Sequence, residues 1–311
     1  MDLICVGEMV IDFLPGNEDG LYIRKAGGAP ANVAVAAARN GLQSGFCGRV
    51  GNDDFGKFLF RTLEENHVAV CCPQLVDEAT TTMAFVSLTA EGERSFTFAR
   101  KPGADMFLTC EDVDRAAVRE ARIVHAGSCS LSREPAAGAT RHALSAAREN
   151  GRLVSFDVNY RNLMWNDDRA ACSRAVQALL PLVDFLKISE EEADMLGQSP
   201  AEAAKAYQIA VLVETLGADG ARCHWNGKTL HVPGRKAVCV DATGAGDAFW
   251  GGFLSCLLLS GVTHTSDLNE ALLLKALHYG NAAGWLCVQK KGAMESLPTH
   301  AQIMEILEGA Q

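Results

Sequence analysis

The chain is 311 residues long, 48% hydrophobic and 21% charged, enough apolar material for one large core or two smaller ones, which excludes a disordered or fibrous protein. Lys and Arg number 28 against 38 Asp and Glu, a net charge of −10 without any block of five or more basic residues, so nucleic acid is not an expected partner. The longest nearly uninterrupted apolar stretch, residues 248–259, holds two glycines and a serine and falls short of the roughly 20 residues that span a bilayer, so no membrane span is expected.

From the N-terminus, Met1-Asp2-Leu3 carries no basic flank, so Leu3-Ile4-Cys5-Val6 reads as a first strand and not as a signal peptide, and a cytoplasmic location is expected. Residues 12–25 follow without helical period. Gly27-Gly28-Ala29-Pro30-Ala31-Asn32 then leads into an alanine-rich helix over 31–40, with Pro30 before it and Gly41 after it. Small residues there admit a ligand close to the backbone, and Asn32 offers donor and acceptor together; taken alone, the same residues are equally a helix cap. Gly51-Asn52-Asp53-Asp54-Phe55-Gly56-Lys57-Phe58 fits G-x-x-x-x-G-K, but Phe58 replaces the hydroxyl that would hold magnesium and two aspartates point charge into the cradle. It is not an ATP loop.

Residues 80–88 and 94–98 are β-rich and separated by Ala90-Glu91-Gly92-Glu93, a hairpin with which 12–25 can pair. This predicts a small β lid, 12–27 and 80–104, on an α/β domain formed by 1–11, 28–79 and 105–311. The commonest use of such an appendage is to cover a site and exclude water. Met83 and Phe85 alternate along one lid strand and Phe96 and Phe98 along the other, apolar surface that packs inside the lid, covers a ligand or meets a second copy. Short apolar runs at 123–126, 153–156, 183–188 and 209–213 each follow a helix-like stretch, which predicts an α/β fold with a doubly wound, mainly parallel sheet. The eleven cysteines are odd in number, scattered and without a C-x-x-C pair, so reduced thiols are expected; the adjacent Cys71 and Cys72 make a poor zinc site.

Residues 238–240 read as a strand, Asp241-Ala242-Thr243-Gly244-Ala245-Gly246-Asp247 as a small-residue turn, and the following apolar run as a helix. Converging backbone N–H groups and the positive end of the helix suit an anion. Asp247, in the first helical turn, would repel a phosphate unless it had chemistry to do. A carboxylate beside an anion hole is what phosphoryl transfer to a hydroxyl requires: one group takes the proton while N–H donors carry the charge. An N-capping aspartate is the plainer reading. Phe249 stands where G-x-G-x-x-G would need its third glycine, so a dinucleotide site is not expected.

Together these segments resemble the ribokinase-like (PfkB) family of carbohydrate kinases, and within it the fructokinases. The resemblance rests on the Gly27–Asn32 stretch with Gly48-Arg49-Val50-Gly51 and Phe55-Gly56 after it, and on the turn from Asp241 to Asp247. Glu91-Gly92-Glu93-Arg94, Pro102-Gly103-Ala104-Asp105-Met106, His125-Ala126-Gly127-Ser128 and Asp157-Val158-Asn159-Tyr160-Arg161 with Trp165 add to it, from Val6-Gly7-Glu8 to Leu297-Pro298. It implies a ribokinase-like fold and an ATP-dependent sugar kinase, first of all a fructokinase making fructose 6-phosphate. The alternatives are 2-keto-3-deoxygluconate kinase and aminoimidazole riboside kinase, which share Arg161; a keto acid would want a further cation, Arg100 or Arg94. A reading of another class, a non-catalytic sugar-binding sensor, has no use for an intact Asp247.

What the resemblance implies for the site is specific. Asp247 is the base, and the N–H groups of Gly244, Ala245 and Gly246 form the anion hole, with Ala242 in place of the usual threonine. Asp12, Gly28, Asn32 and Arg161 contact the sugar. Lys187, Thr215, Gly217 and Gly220 face phosphates and nucleotide, and Asn281 the adenine. Glu192 organises water around Mg²⁺, with Ser189 in place of the usual asparagine. A monovalent cation, K⁺, is held by Asp241 and Thr243, carbonyls near Cys287, Lys290 and Gly292, and Ser296. Sugar and ATP are the expected small-molecule partners, and a homodimer through paired lids the expected protein partner.

Overall fold

Alternate residues of the first strand go to opposite cores. In the computed structural model, which describes residues 1–309 apart from 17, 19, 89–93 and 117, Leu3 and Cys5 join one buried cluster and Ile4 and Val6 another. The predicted hairpin turn at 90–93 lies outside the described residues, as do the side chains of Arg94 and Phe96.

The strands are β1 (Leu3–Val6), β2 (Val10–Pro15), β3 (Tyr22–Gly27), β4 (Ser44–Cys47), β5 (Ala69–Val70), β6 (Met83–Leu88) and β7 (Arg94–Ala99). They continue as β8 (Ile123–Gly127), β9 (Leu153–Asp157), β10 (Phe185–Ser189), β11 (Val211–Thr215), β12 (Ala221–Trp225) and β13 (Lys228–Val232). Nine form one sheet in the order β13-β12-β11-β10-β9-β8-β1-β4-β5, parallel from β11 to β5 and closed by the antiparallel pair β12 and β13. Strands buried on both faces, as β1, β8 and β9 are, need helices above and below. One face is covered by helices Ala29–Arg39, Ala245–Leu259 and Glu270–Cys287, the other by Ala136–Glu149 and Arg169–Leu179. No helix among the described residues is long and apolar enough to cross a membrane.

Helices Ala29–Arg39 and Ala245–Leu259 cross closely at Gly251, where a Cβ would stand 2.5 Å from the Ala36 Cβ. Substituting Gly251→Val therefore forces the pair apart and is expected to cost about 1–3 kcal/mol, read as a lower urea midpoint of unfolding.

The segment 238–240 is not a strand. Its Val240 and Asp241 amides both donate to the Val288 carbonyl beyond helix Glu270–Cys287, at 2.8 and 3.1 Å, and Val238 is 83% exposed, so the segment has neither a ladder partner nor a buried face. The G-x-x-x-x-G-K segment is likewise closed to phosphate. Asp53 caps helix Asp54–Glu65 by accepting from Gly56 N at 2.8 Å and also takes Thr81 N at 2.8 Å, so its carboxylate fills the space an anion would need. All eleven cysteines are free thiols, including the buried Cys47 and Cys72, whose Sγ atoms lie 3.0 Å apart.

A second sheet, in the order β3-β2-β6-β7, stands apart from the first. Its strands come from two stretches remote in sequence, joined by parallel pairing of β2 with β6. Register puts Lys25, Asp12, Ala84 and Phe98 in one row across it, and Phe13 and Phe85 in the adjacent row, on the opposite face. Phe13 and Phe85 stack at 4.8 Å, with Phe55 of helix Asp54–Glu65 edge-on to Phe13 at 5.7 Å. Phe98, on the other face, is partly buried and packs against the cluster that holds Ile4 and Val6.

Candidate active site

Parallel α/β sheets collect ligands at the carboxyl ends of their strands, and here the β1–β2 loop, the entry to helix Ala29–Arg39, the segment after β9 and the turn before helix Ala245–Leu259 surround one cavity of about 590 Å³. Asp12, Gly28, Asn32 and Arg161 line it together with Gly244, Gly246 and Asp247, so the predicted sugar contacts and the predicted base share one chamber. Ala84 and Phe98 of the second sheet also line it. Gly28 opens the helix at φ 109°, and a Cβ there would lie 2.6 Å from the Glu8 carbonyl oxygen, so only glycine lets the two loops meet.

Asn32 reaches across to donate Nδ2 to Asp247 Oδ2 at 2.7 Å. Burial pushes the Asp247 carboxyl above its ordinary pKa and the nearby Asp157 adds to this, while the Asn32 hydrogen bond and the charges of Lys187 and Arg161 pull the other way. Lys187, on β10, donates Nζ to Asp157 Oδ2 at 2.8 Å. Burial works against the ammonium, yet Asp157 and Glu192 outweigh it, raise its pKa and keep it charged. Lys187 lines the same cavity as Asp247, and a Cβ on Gly246 would be 3.3 Å from its Nζ, so a fixed positive charge stands beside the turn. Arg161 makes no ion pair among the described residues; its Nη1 donates to Tyr160 O at 3.0 Å.

A second cavity, of about 340 Å³, lies on the other side of the turn. Thr215, Gly217, Gly220 and Asn281 line it, as do Phe249, Arg235 and Trp285, which sequence reasoning missed. Both cavities are lined by Ala242 and Gly246, where they adjoin. Asn281 Nδ2 donates to the Val232 and Pro233 carbonyls at 3.1 and 3.3 Å, holding the chamber wall. Of the three predicted anion-hole amides, that of Ala245 is turned to Ala242 O at 3.2 Å.

Glu192 lies behind this chamber and lines neither cavity. Its two oxygens accept from Tyr160 N at 2.7 Å and Ser189 N at 2.8 Å, which brace the segment that carries Arg161 against the end of β10. Below the turn, Asp241 is buried, accepting from Thr243 N at 2.8 Å and Gly292 N at 3.0 Å. Cys287 Sγ sits 2.9 Å from Ser296 Oγ and 3.8 Å from Thr243 O, and Cys287 O accepts from Lys290 N at 3.2 Å. The six residues predicted to hold a cation are thereby drawn into one linked cluster.

Two further groups bear on substrate choice. Arg100 gives Nε and Nη2 to Asp105 at 2.9 and 2.6 Å and Nη1 to Ser132 at 3.0 Å, so its charge is already neutralised and unsuited to a carboxylate substrate. Glu8, which marked only the start of the resemblance, lines the larger cavity, and its buried Oε2 has no hydrogen-bond partner among the described residues. Burial lifts its carboxyl to about 7; Asp105 adds to this, while Arg100 and Arg161 oppose it. A carboxyl raised in the fold contributes stability that is complete below the ordinary carboxylate range and is lost as pH rises through about 7. The Glu8→Gln protein is therefore expected to gain on the wild type by on the order of 2–3 kcal/mol between pH 5 and pH 8, followed by calorimetric unfolding at both.

A family model described as pfkB family carbohydrate kinase matches residues 1–300. Fructokinase-2 of Zea mays is 38% identical over 322 residues, 99% of this chain and 94% of that protein. Among solved structures, the fructokinase of Vibrio cholerae O395 is 37% identical with a TM-score of 0.88 over 98% of both chains. It was crystallised with fructose, ADP and calcium ion and, as a double mutant, with fructose, ADP and potassium ion. Aminoimidazole riboside kinase from Salmonella enterica, complexed with aminoimidazole riboside and an ATP analogue, is 30% identical with a TM-score of 0.83 over 99% of this chain and 100% of that one.

Proposed function

Because this chain belongs to the pfkB family of carbohydrate kinases, we propose that it transfers the γ-phosphoryl of ATP to the primary hydroxyl of fructose, giving fructose 6-phosphate. The observation that carries this reading is the pair of adjoining cavities, with Ala242 and Gly246 common to both and Asp247 on the sugar side. A donor in one chamber and an acceptor in the other then meet at the turn. The fructokinase relatives at this identity point to the sugar. The spent charge of Arg100 argues against a keto acid.

In this mechanism Asp12, Asn32 and Arg161 orient the sugar, with Gly28 letting it approach the backbone. Asp247 takes the proton as the hydroxyl attacks, and the amides of Gly244 and Gly246, with Lys187 beside them, carry charge on the phosphoryl. Thr215, Gly217, Gly220 and Asn281 hold the nucleotide. Ala84 and Phe98 exclude water, the competing acceptor.

Mg²⁺, when bound with the nucleotide, would neutralise phosphate charge. Among the described residues no three His, Cys, Asp or Glu side chains converge, which suits an ion held mainly by phosphates and water, and leaves Glu192 to contribute its charge from behind the chamber. The cluster of Asp241, Thr243, Cys287, Lys290, Gly292 and Ser296 offers backbone, hydroxyl and carboxylate oxygens, a donor set that fits K⁺; when bound it would add positive charge beneath the turn. The protein acts in the cytoplasm. Leu21, Tyr22 and Ile23, apolar and exposed at the edge of the small sheet, support a homodimer through paired sheets; a monomeric mass by light scattering would remove that assembly.

A coupled ADP-release assay over fructose, 2-keto-3-deoxygluconate, aminoimidazole riboside, ribose and glucose, with and without Mg²⁺ and K⁺, tests the reading. Fructose is expected to give the highest kcat/KM, with turnover abolished without Mg²⁺ and reduced without K⁺. Aminoimidazole riboside as the preferred acceptor would overturn the choice of sugar.

A further inference from the structure

Glu8 is an acid that packing does not explain. It lies between β1 and β2, is 3% exposed, and lines the sugar-side cavity with Oε2 lacking any hydrogen-bond partner among the described residues. A buried carboxyl oxygen without a partner is destabilising, and a wall that needed only to be filled would hold an apolar residue. Neither neighbouring cation reaches Oε2: Arg100 gives Nε and Nη2 to Asp105 Oδ2, and Arg161 Nη1 donates to the Tyr160 carbonyl. The main chain that carries Glu8 is also held in place. The backbone of Glu8 and Met9 presses on Gly28, where even a methyl group would meet Glu8 O at 2.6 Å and Met9 Cα at 2.8 Å.

Resting on the kinase reading, we propose that Glu8 is a substrate-binding residue whose Oε2 hydrogen-bonds a sugar hydroxyl other than the one phosphorylated, and so selects sugars that carry that hydroxyl against their deoxy analogues. The reacting hydroxyl belongs to Asp247, on a different element, and Asp247 already holds Asn32. Glu8 faces Asp105, Arg100, Arg161 and Cys129. Burial lifts its carboxyl to about 7, so near neutral pH both the acceptor form and the O–H donor form are available to a hydroxyl, which can answer either. A site whose polar group is left unpaired by a missing hydroxyl discriminates far more strongly than one that merely loses a contact.

The experiment measures steady-state kinetics and calorimetric sugar binding for wild type, Glu8→Gln and Glu8→Ala, using fructose and its 1-deoxy, 3-deoxy and 4-deoxy analogues. Glu8→Ala is expected to raise the fructose KM by roughly 10–100-fold with the ATP KM within about twofold. Glu8→Gln, which keeps a hydrogen-bonding group, is expected to recover part of that loss. One deoxy analogue should bind wild type at least tenfold more weakly than fructose and bind Glu8→Ala as well as fructose does. Unchanged fructose affinity in folded Glu8→Ala, or deoxy penalties identical in wild type and variant, would overturn the assignment. Failure of the kinase reading has a different signature, no ADP release from wild type on any sugar, and the calorimetric comparison then still decides the role of Glu8.

Discussion

Replacing Asp247 by Asn is expected to lower kcat by about 10²–10⁴-fold, the usual contribution of a positioned general base, while fructose and ATP continue to bind. The variant keeps the shape of the side chain and a group that can face Asn32, now 2.7 Å from Oδ2, so the cavity need not rearrange. Stability should move the other way. Burial raises the pKa of Asp247, so its stabilising contribution is present at low pH and fades as pH rises through the raised value; above it the carboxylate is a buried charge that the fold bears at a cost. Asn removes that cost, and the variant should melt no lower than wild type at pH 8. Turnover that survives with less than a tenfold loss would show that another group takes the proton. Sugar and ATP binding to wild type without turnover would instead favour a sensor.

Substituting Lys187→Met should cost about 3–5 kcal/mol, one of the largest losses open to a single change in this chain. The ammonium is buried against Asp157 at 2.8 Å, with both side chains under a tenth exposed. Met fills the volume but leaves the Asp157 carboxylate buried without its cation, and Asp157 Oδ1 already has no partner among the described residues. Urea unfolding monitored by fluorescence measures the loss. The double change Lys187→Met with Asp157→Leu should recover much of it, because the desolvation penalty is then removed from both partners. A single variant as stable as wild type would mean that the pair is not a coupled buried ion pair. Since Lys187 also stands beside the turn, the double variant should regain the fold without regaining activity.

The doubly wound sheet is legible in the chain because its strands are buried on both faces and so appear as short continuous apolar runs, as at Leu3–Val6 and Val211–Thr215. The edge pair Ala221–Trp225 and Lys228–Val232 escapes notice for the opposite reason: half its residues face water, and polar side chains interrupt the pattern. Residues 238–240 mislead in the reverse direction, since valine and cysteine carry strand propensity wherever they stand, and only the Val288 carbonyl reveals that their backbone is bonded to the end of a helix. At the site, the spacing of Asp247, Asn32 and the glycines suits a helix cap as well as a ligand, and the resemblance to the carbohydrate kinases is what gives them roles. Phe98 could be named as apolar surface, but which face it occupies follows from its register with Ala84 and Asp12, which no local signal encodes. Glu8 and Trp285 were silent for a related reason: a lone acid or indole acquires meaning only from the wall it joins.

The two chambers draw on different lengths of the chain. Apart from the turn at 242–247, the cavity proposed for the sugar is built from residues between Glu8 and Glu191, and that proposed for the nucleotide from residues between Thr215 and Val288. Acceptor preference can thus drift through changes in the first two thirds of the polypeptide while the donor half stays untouched, provided the short hinge of small residues common to both is spared. Such a division of labour lets one phosphate-handling apparatus be inherited intact by enzymes of divergent taste.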